Sequence, residues 1–117
     1  MTPKESPFGD IVHGDFSPGN VLLSDNGELV GIVDWDAARV GDSAFDLAAL
    51  EWDIQLLGRS ARQSLPCIRS CMLNVSSRAL IQLYRYYHTC ANLSWAIGTA
   101  DESASISASH AVLQYSN

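Results

Sequence analysis

Two apolar runs flanking an Asn-Gly pair restrict this chain's fold more than any other feature. Val21-Leu22-Leu23 and Leu29-Val30-Gly31-Ile32-Val33 are separated by Ser24-Asp25-Asn26-Gly27-Glu28. Asn and Gly both tolerate positive φ, so the pair predicts a β-hairpin with its tip near Asn26-Gly27. Such a hairpin sets Asn20, just before its first strand, beside Asp34, just after its second. Ile11-Val12 is a further β-branched run, leading straight into His13-Gly14-Asp15. Residues 11–36 therefore read as β-like with turn signals.

From residue 43 the texture changes to helical. Asp42 or Ser43 can cap a helix running to about Leu57. Phe45, Ala48, Ala49, Trp52 and Leu56 recur at helical spacing there, and Gly58 is a natural stop. A second helical stretch spans roughly 60–73, with Pro66 tolerable only in its first turn. A third starts near Ser76 or Ser77, and Leu80, Leu83, Tyr84, Tyr87 and Ala91 read as its core face. In the Ser- and Ala-rich tail, Ile106, His110 and Leu113 mark either one more helix or a frayed end. Both Trp35 and Trp52 read as core residues. The fold class is α+β: a small hairpin and a loop, then helices over 43–117.

Composition narrows the classes of partner. The 117 residues are 47% hydrophobic and 17% charged, as in one folded domain with a modest core. The net charge is −6, the six arginines are scattered and the only lysine is Lys4, so no nucleic-acid surface is expected. No run of about 18 uncharged apolar residues suits a membrane span. Residues 1–10 are a polar tail without a secretory core. Cys67, Cys71 and Cys90 make no disulfide framework or zinc spacing and read as reduced, half-buried core residues. These features together suggest a cytoplasmic protein.

Three polar residues carry chemistry: Asp15, Asn20 and Asp34. Phosphoryl transfer from ATP explains the set. The attacking hydroxyl must be oriented and relieved of its proton, which a carboxylate such as Asp15 can do. Magnesium ions on the phosphates take hard oxygen ligands, typically one or two carboxylates and an amide, and Asn20 and Asp34 supply those. The competing reading makes all three turn and cap residues. Asp36 and Asp42 read as solvated or capping, and Arg39 either meets a phosphate or pairs with Asp36.

These residues also reach a recognisable family. His13-Gly14-Asp15-x4-Asn20 resembles the catalytic loop of the aminoglycoside phosphotransferase and choline kinase superfamily, itself similar to the protein-kinase His-Arg-Asp-x4-Asn loop. Val33-Asp34-Trp35 resembles that family's metal-binding Ile-Asp-Trp or Ile-Asp-Phe, and Gly41-Asp42-x3-Asp46-Leu47-Ala48 resembles the segment that follows it. Ser43 stands where proline is common. The resemblance implies that Asp15 is the catalytic base, that His13 orients the loop, and that Asn20 and Asp34 bind magnesium with ATP. It implies that Asp46 braces the catalytic loop by accepting backbone N–H bonds. The expected fold is the C-terminal lobe of a protein-kinase-like enzyme, over 11–117.

Family members are well over twice this length, so the nucleotide lobe is expected to be absent. No two glycines lie two apart, no P-loop occurs, and Lys4 is not on a strand. The expected function is ATP-dependent phosphorylation of a small hydroxylated molecule. Asp36, Glu51 and Asp53 lean toward a cationic acceptor. The alternative is a catalytically silent lobe that binds or pairs with another chain, and an uncovered lobe interface would favour self-association.

Overall fold

In a computed structural model of the chain, residues 9–98 are described. Four short strands, β1 (Asp10–Val12), β2 (Val21–Leu23), β3 (Leu29–Ile32) and β4 (Arg39–Gly41), precede four helices. The helices are α1 (Ala44–Leu56), α2 (Arg59–Arg62), α3 (Leu65–Val75) and α4 (Arg78–Gly98). The tail residues Ile106, His110 and Leu113 lie outside the described residues.

The expected hairpin is present. β2 and β3 pair antiparallel, with Val21 opposite Ile32 and Leu22 opposite Gly31, and an irregularity follows at Leu23. The tip is not a two-residue turn with two positive φ values. Gly27 alone has one, at +80°. The Gly27 N–H donates to Ser24 O at 2.9 Å and Ser24 N–H donates to Glu28 O at 2.8 Å, so the loop spans five residues. A second ribbon was not foreseen: β1 pairs antiparallel with β4, Ile11 opposite Val40. Its strands are three residues long and far apart in sequence, too short to show periodicity.

The core is helical. Ala44 and Ala48 of α1 meet Ile68 and Met72 of α3 and Ile81 of α4, with Leu47, Leu50, Ile54, Val75 and Tyr84 around them. Gly58, at φ +106°, ends α1 in the left-handed region that favours glycine. The Arg62 guanidinium then donates to Gln55 O at 3.1 and 3.0 Å, covering one of the helix's last carbonyls. The second helical stretch is split at Ser64, and Pro66 stands in the first turn of α3.

Asp42 is buried and ties three elements together. It accepts the Ala44 N–H at 3.0 Å, capping α1, and hydroxyls from Ser76 at 2.6 Å and Tyr84 at 2.9 Å. Burial first, then the hydrogen bond to Asp42 and the negative charge of that carboxylate, push the Tyr84 hydroxyl up to about 12.

Several expectations are corrected. The buried face of α4 is Ile81, His88, Thr89 and Ala96, one position round from the apolar stripe; Leu83 and Tyr87 are exposed. Polar residues with distant partners set that rotation: Arg85 reaches Glu51 on α1, and His88 reaches Phe45. Trp52 is core, but Trp35 is 47% exposed, its indole N–H donating to Ile32 O at 2.7 Å. All three cysteines are exposed rather than half-buried. Glu51 is fully buried, its carboxylate held by Arg69 and Arg85.

Candidate active site

The site begins where β1 ends. Val12, the last residue of β1, is buried, and the ribbon delivers His13 into the protein at 2% exposure. His13 then makes three hydrogen bonds and a ring contact with Trp35. Its backbone N–H donates to Asp46 Oδ2 at 2.7 Å. Its Nδ1 accepts the Asp15 N–H at 3.1 Å, so the ring proton sits on Nε2 and is donated to Val33 O at 2.8 Å. Trp35 packs edge-on against the ring, centroids 4.6 Å apart. One imidazole thus joins the loop carrying Asp15 to the segment carrying Asp34.

Asp46 lies in the first turn of α1, where a carboxylate also suits the helix dipole. Its second oxygen accepts the Gly14 N–H at 3.0 Å. Two successive loop amides are therefore held by one carboxylate. Gly14 adopts φ +91°, and a Cβ there would lie 2.4 Å from Ala37 O, so no other residue fits that bend.

Asp15 is exposed, as a group that meets a ligand must be. A single 3-10 turn, Pro18–Asn20, brings Asn20 back to it. The Asn20 Nδ2 donates to Asp15 O at 2.8 Å, with Asp15 Oδ2 at 3.5 Å. That pairing leaves the amide oxygen, the atom a hard cation takes, turned away from Asp15. The Val33 N–H donates to Asn20 O at 2.9 Å, so the hairpin does join the Asn20 and Asp34 segments. Asp34 itself is the one non-glycine residue with positive φ among the described residues, at 63°. Asp tolerates this conformation better than most, but it is strained, and such strain gathers at functional sites. An amide oxygen and a carboxylate on tethered segments are the donor set that suits a magnesium ion, which takes few protein ligands.

A cleft of about 180 Å³ opens beside Asp15. Gly14, Phe16 and Ser17 wall one side, Ala49 and Asp53 of α1 another, and His88 and Asn92 of α4 the third. Asp53 is pushed up to about 6, first by burial and then by the negative charge of Asp15. The His88 imidazole is shifted downward by burial, which outweighs the upward pull of its bond to Phe45 O and of Asp46. Asp36, by contrast, is exposed and does not line this cleft. Arg39 forms no ion pair with Asp36 among the described residues. Its guanidinium lies over the Phe45 ring, 4.6 Å from the centroid.

His88 and Asn92 were not singled out in the sequence as cleft residues. The available signal was spacing: Ala49 and Asp53 on α1, and His88 and Asn92 on α4, are each one helical turn apart.

Helices stacked behind a small sheet and hairpin, with the loop at their junction, form a kinase-like α+β fold. The architecture matches a solved structure, a thermostable mutant of aminoglycoside phosphotransferase APH(4)-Ia in its apo form, with TM-score 0.69 and 20% identity. The match covers 90% of this chain and 35% of that one. The chain belongs to the phosphotransferase enzyme family (APH), whose sequence profile matches residues 3–64. Hygromycin-B 4-O-kinase of Escherichia coli is 45% identical over 38 residues, 32% of this chain and 11% of that one. Viomycin phosphotransferase of Streptomyces vinaceus is 43% identical over 54 residues, 42% of this chain and 19% of that one. The matched stretch is thus a small part of each curated relative.

Proposed function

We propose that this chain carries the proton-accepting and metal-binding half of an ATP-dependent phosphotransferase site, acting on the hydroxyl of a small molecule. The carrying observation is the double brace of the loop: Asp46 holds the His13 and Gly14 amides, while the His13 ring spans from Asp15 N to Val33 O. A loop held from both sides keeps Asp15 at one place relative to Asn20 and Asp34. Fixed placement is what this chemistry needs, because little covalent work falls to the protein.

In the proposed reaction the acceptor hydroxyl enters the cleft beside Asp15. Its proton passes to the Asp15 carboxylate as its oxygen bonds to the γ-phosphorus. The bond to the β–γ bridging oxygen breaks, and ADP leaves. Magnesium, when bound, neutralises charge on the phosphates, and Asn20 Oδ1 and the Asp34 carboxylate are the ligands this chain offers it.

The cleft also bears on the acceptor. Asp53 ionises reluctantly there, so a positively charged group beside it would relieve the site. An amine-bearing hydroxylated compound fits, and two relatives are named for hygromycin B and viomycin. Residues 1–117 contain no glycine-rich phosphate loop and no lysine besides Lys4. We therefore assign the grip on the triphosphate to a nucleotide lobe beyond these residues. That same observation favours a second reading, a silent lobe that binds without turnover.

The test is phosphate transfer by this chain joined to a nucleotide lobe of an aminoglycoside phosphotransferase, against amino-alcohol, aminoglycoside and neutral sugar acceptors. Transfer to amine-bearing acceptors, lost in Asp15→Asn, supports the proposal. A well-folded fusion that binds ATP yet transfers to none of them would favour the silent lobe.

A further inference from the structure

A second cleft, of about 300 Å³, lies between α3 and α4 and is lined by Arg69, Leu73, Arg78, Ile81, Gln82 and Arg85. It is built differently from the cleft beside Asp15. Three of its six residues are arginines, in a chain whose net charge is −6. Two of them are held in place. Arg85 grips buried Glu51 with two bonds of 2.8 Å, and Arg69 Nε donates to the same carboxylate at 3.0 Å. Arg78, at the start of α4, is in neither ion pair found among the described residues.

We infer that this cleft binds a small organic phosphate. A planar guanidinium matches phosphate oxygens in pairs, and one whose direction is already fixed loses less freedom on binding. Glu51 brings one negative charge to the two guanidiniums it holds, and Arg78 adds a third positive group. Three guanidiniums around one cleft suit an anion. Leu73 and Ile81 give the cleft an apolar wall, which free phosphate would not use. The volume is at the small end of ligand pockets and leaves room for a carbon skeleton.

This site is separate from the proposed catalytic one. Glu51 lies on the face of α1 opposite Asp53 and Ala49, each two residues away, so the body of that helix stands between the clefts. The inference does not depend on phosphotransfer.

Calorimetry at physiological ionic strength, with phenyl phosphate and inorganic phosphate as probes, tests it. Phenyl phosphate should bind more tightly than inorganic phosphate and shift the Leu73 and Ile81 methyl resonances. Arg78→Ala should weaken it about tenfold or more, the loss of a charge-assisted bond, without lowering the melting temperature. Arg78→Lys should retain most of the binding. Unchanged affinity in Arg78→Ala, or resonance shifts confined to residues 14–20, would overturn the site. Equal affinity for inorganic phosphate would overturn the organic ligand.

Discussion

Three carboxylates in this chain do different physical work, and single substitutions separate them. Asp46 holds two loop amides, so Asp46→Ala strands the His13 and Gly14 donors at about 1–3 kcal/mol each. Asp15 is exposed, and its side chain has one long contact at 3.5 Å with Asn20. Asp46→Ala is therefore expected to melt well below the parent, by about 4–8 °C per kcal/mol for a domain of this order. Asp15→Ala should melt close to the parent, and paired thermal melts in which it falls lower would reverse the assignment. Asp53 shows the opposite behaviour. Its pKa is raised from 3.8 to about 6, so the folded state holds its proton more tightly than the unfolded state does. The stability this confers is complete below pH 3.8 and is lost as pH rises through about 6. Asp53→Asn should consequently raise the melting temperature at pH 7.5, and Asp15→Ala should lower the Asp53 pKa in a carboxyl NMR titration.

At the level of elements, local signals were readable and long-range ones were not. The hairpin announced itself because Asn26-Gly27 sits between two apolar runs. Helix α1 was bounded correctly because Asp42 caps it and Gly58 ends it. The pairing of β1 with β4 left no trace, since Ile11 and Val40 are far apart in sequence with the whole hairpin between them. The face of α4 was misjudged by one position for a similar reason. A hydrophobic stripe counts apolar residues, whereas Arg85 and His88 are turned inward by partners on α1. In the loop, the spacing of Asp15 and Asn20 already placed them within reach of one another. The His13 ring bridge to Val33 was invisible, because it depends on a tautomer and a ring orientation. The segment after β3 supplies a test at this scale. Asp34 is held at φ 63°, which costs an ordinary residue about 1–2 kcal/mol and glycine little. Asp34→Gly should melt at or above the parent temperature while losing magnesium-dependent nucleotide binding in the fused protein. A fall in melting temperature would mean that the Asp34 carboxylate supports the fold.

For the whole molecule, the question is what a braced loop can accomplish without a grip on the nucleotide. Rate enhancement in phosphoryl transfer comes from placing the acceptor oxygen against the γ-phosphorus and stabilising charge as it moves. In the proposed reaction this chain would supply the acceptor side, with an exposed carboxylate on a held loop, a cleft beside it, and Asn20 and Asp34 joined across the hairpin. Its 117 residues hold no two glycines two apart to cover a triphosphate, and the hairpin residues Leu22, Leu23, Leu29 and Val30 are exposed. Magnesium held only by Asn20 and Asp34 would lack the phosphates that normally complete its shell, so its binding should be weak until nucleotide is gripped. The chain alone is accordingly expected to release no phosphate above background from ATP and magnesium, with or without an acceptor. Joined to a nucleotide lobe it should turn over, and the two aspartates should then part company. Asp15→Asn should abolish transfer while leaving nucleotide affinity nearly unchanged, because the carboxylate acts on the acceptor hydroxyl. Asp34→Asn should weaken both, because it acts through the nucleotide's metal. A coupled phosphate-release assay with nucleotide-binding calorimetry on the same three proteins measures this split. Turnover by the 117 residues alone, abolished in Asp15→Asn, would show that the loop and its cleft suffice to hold the triphosphate.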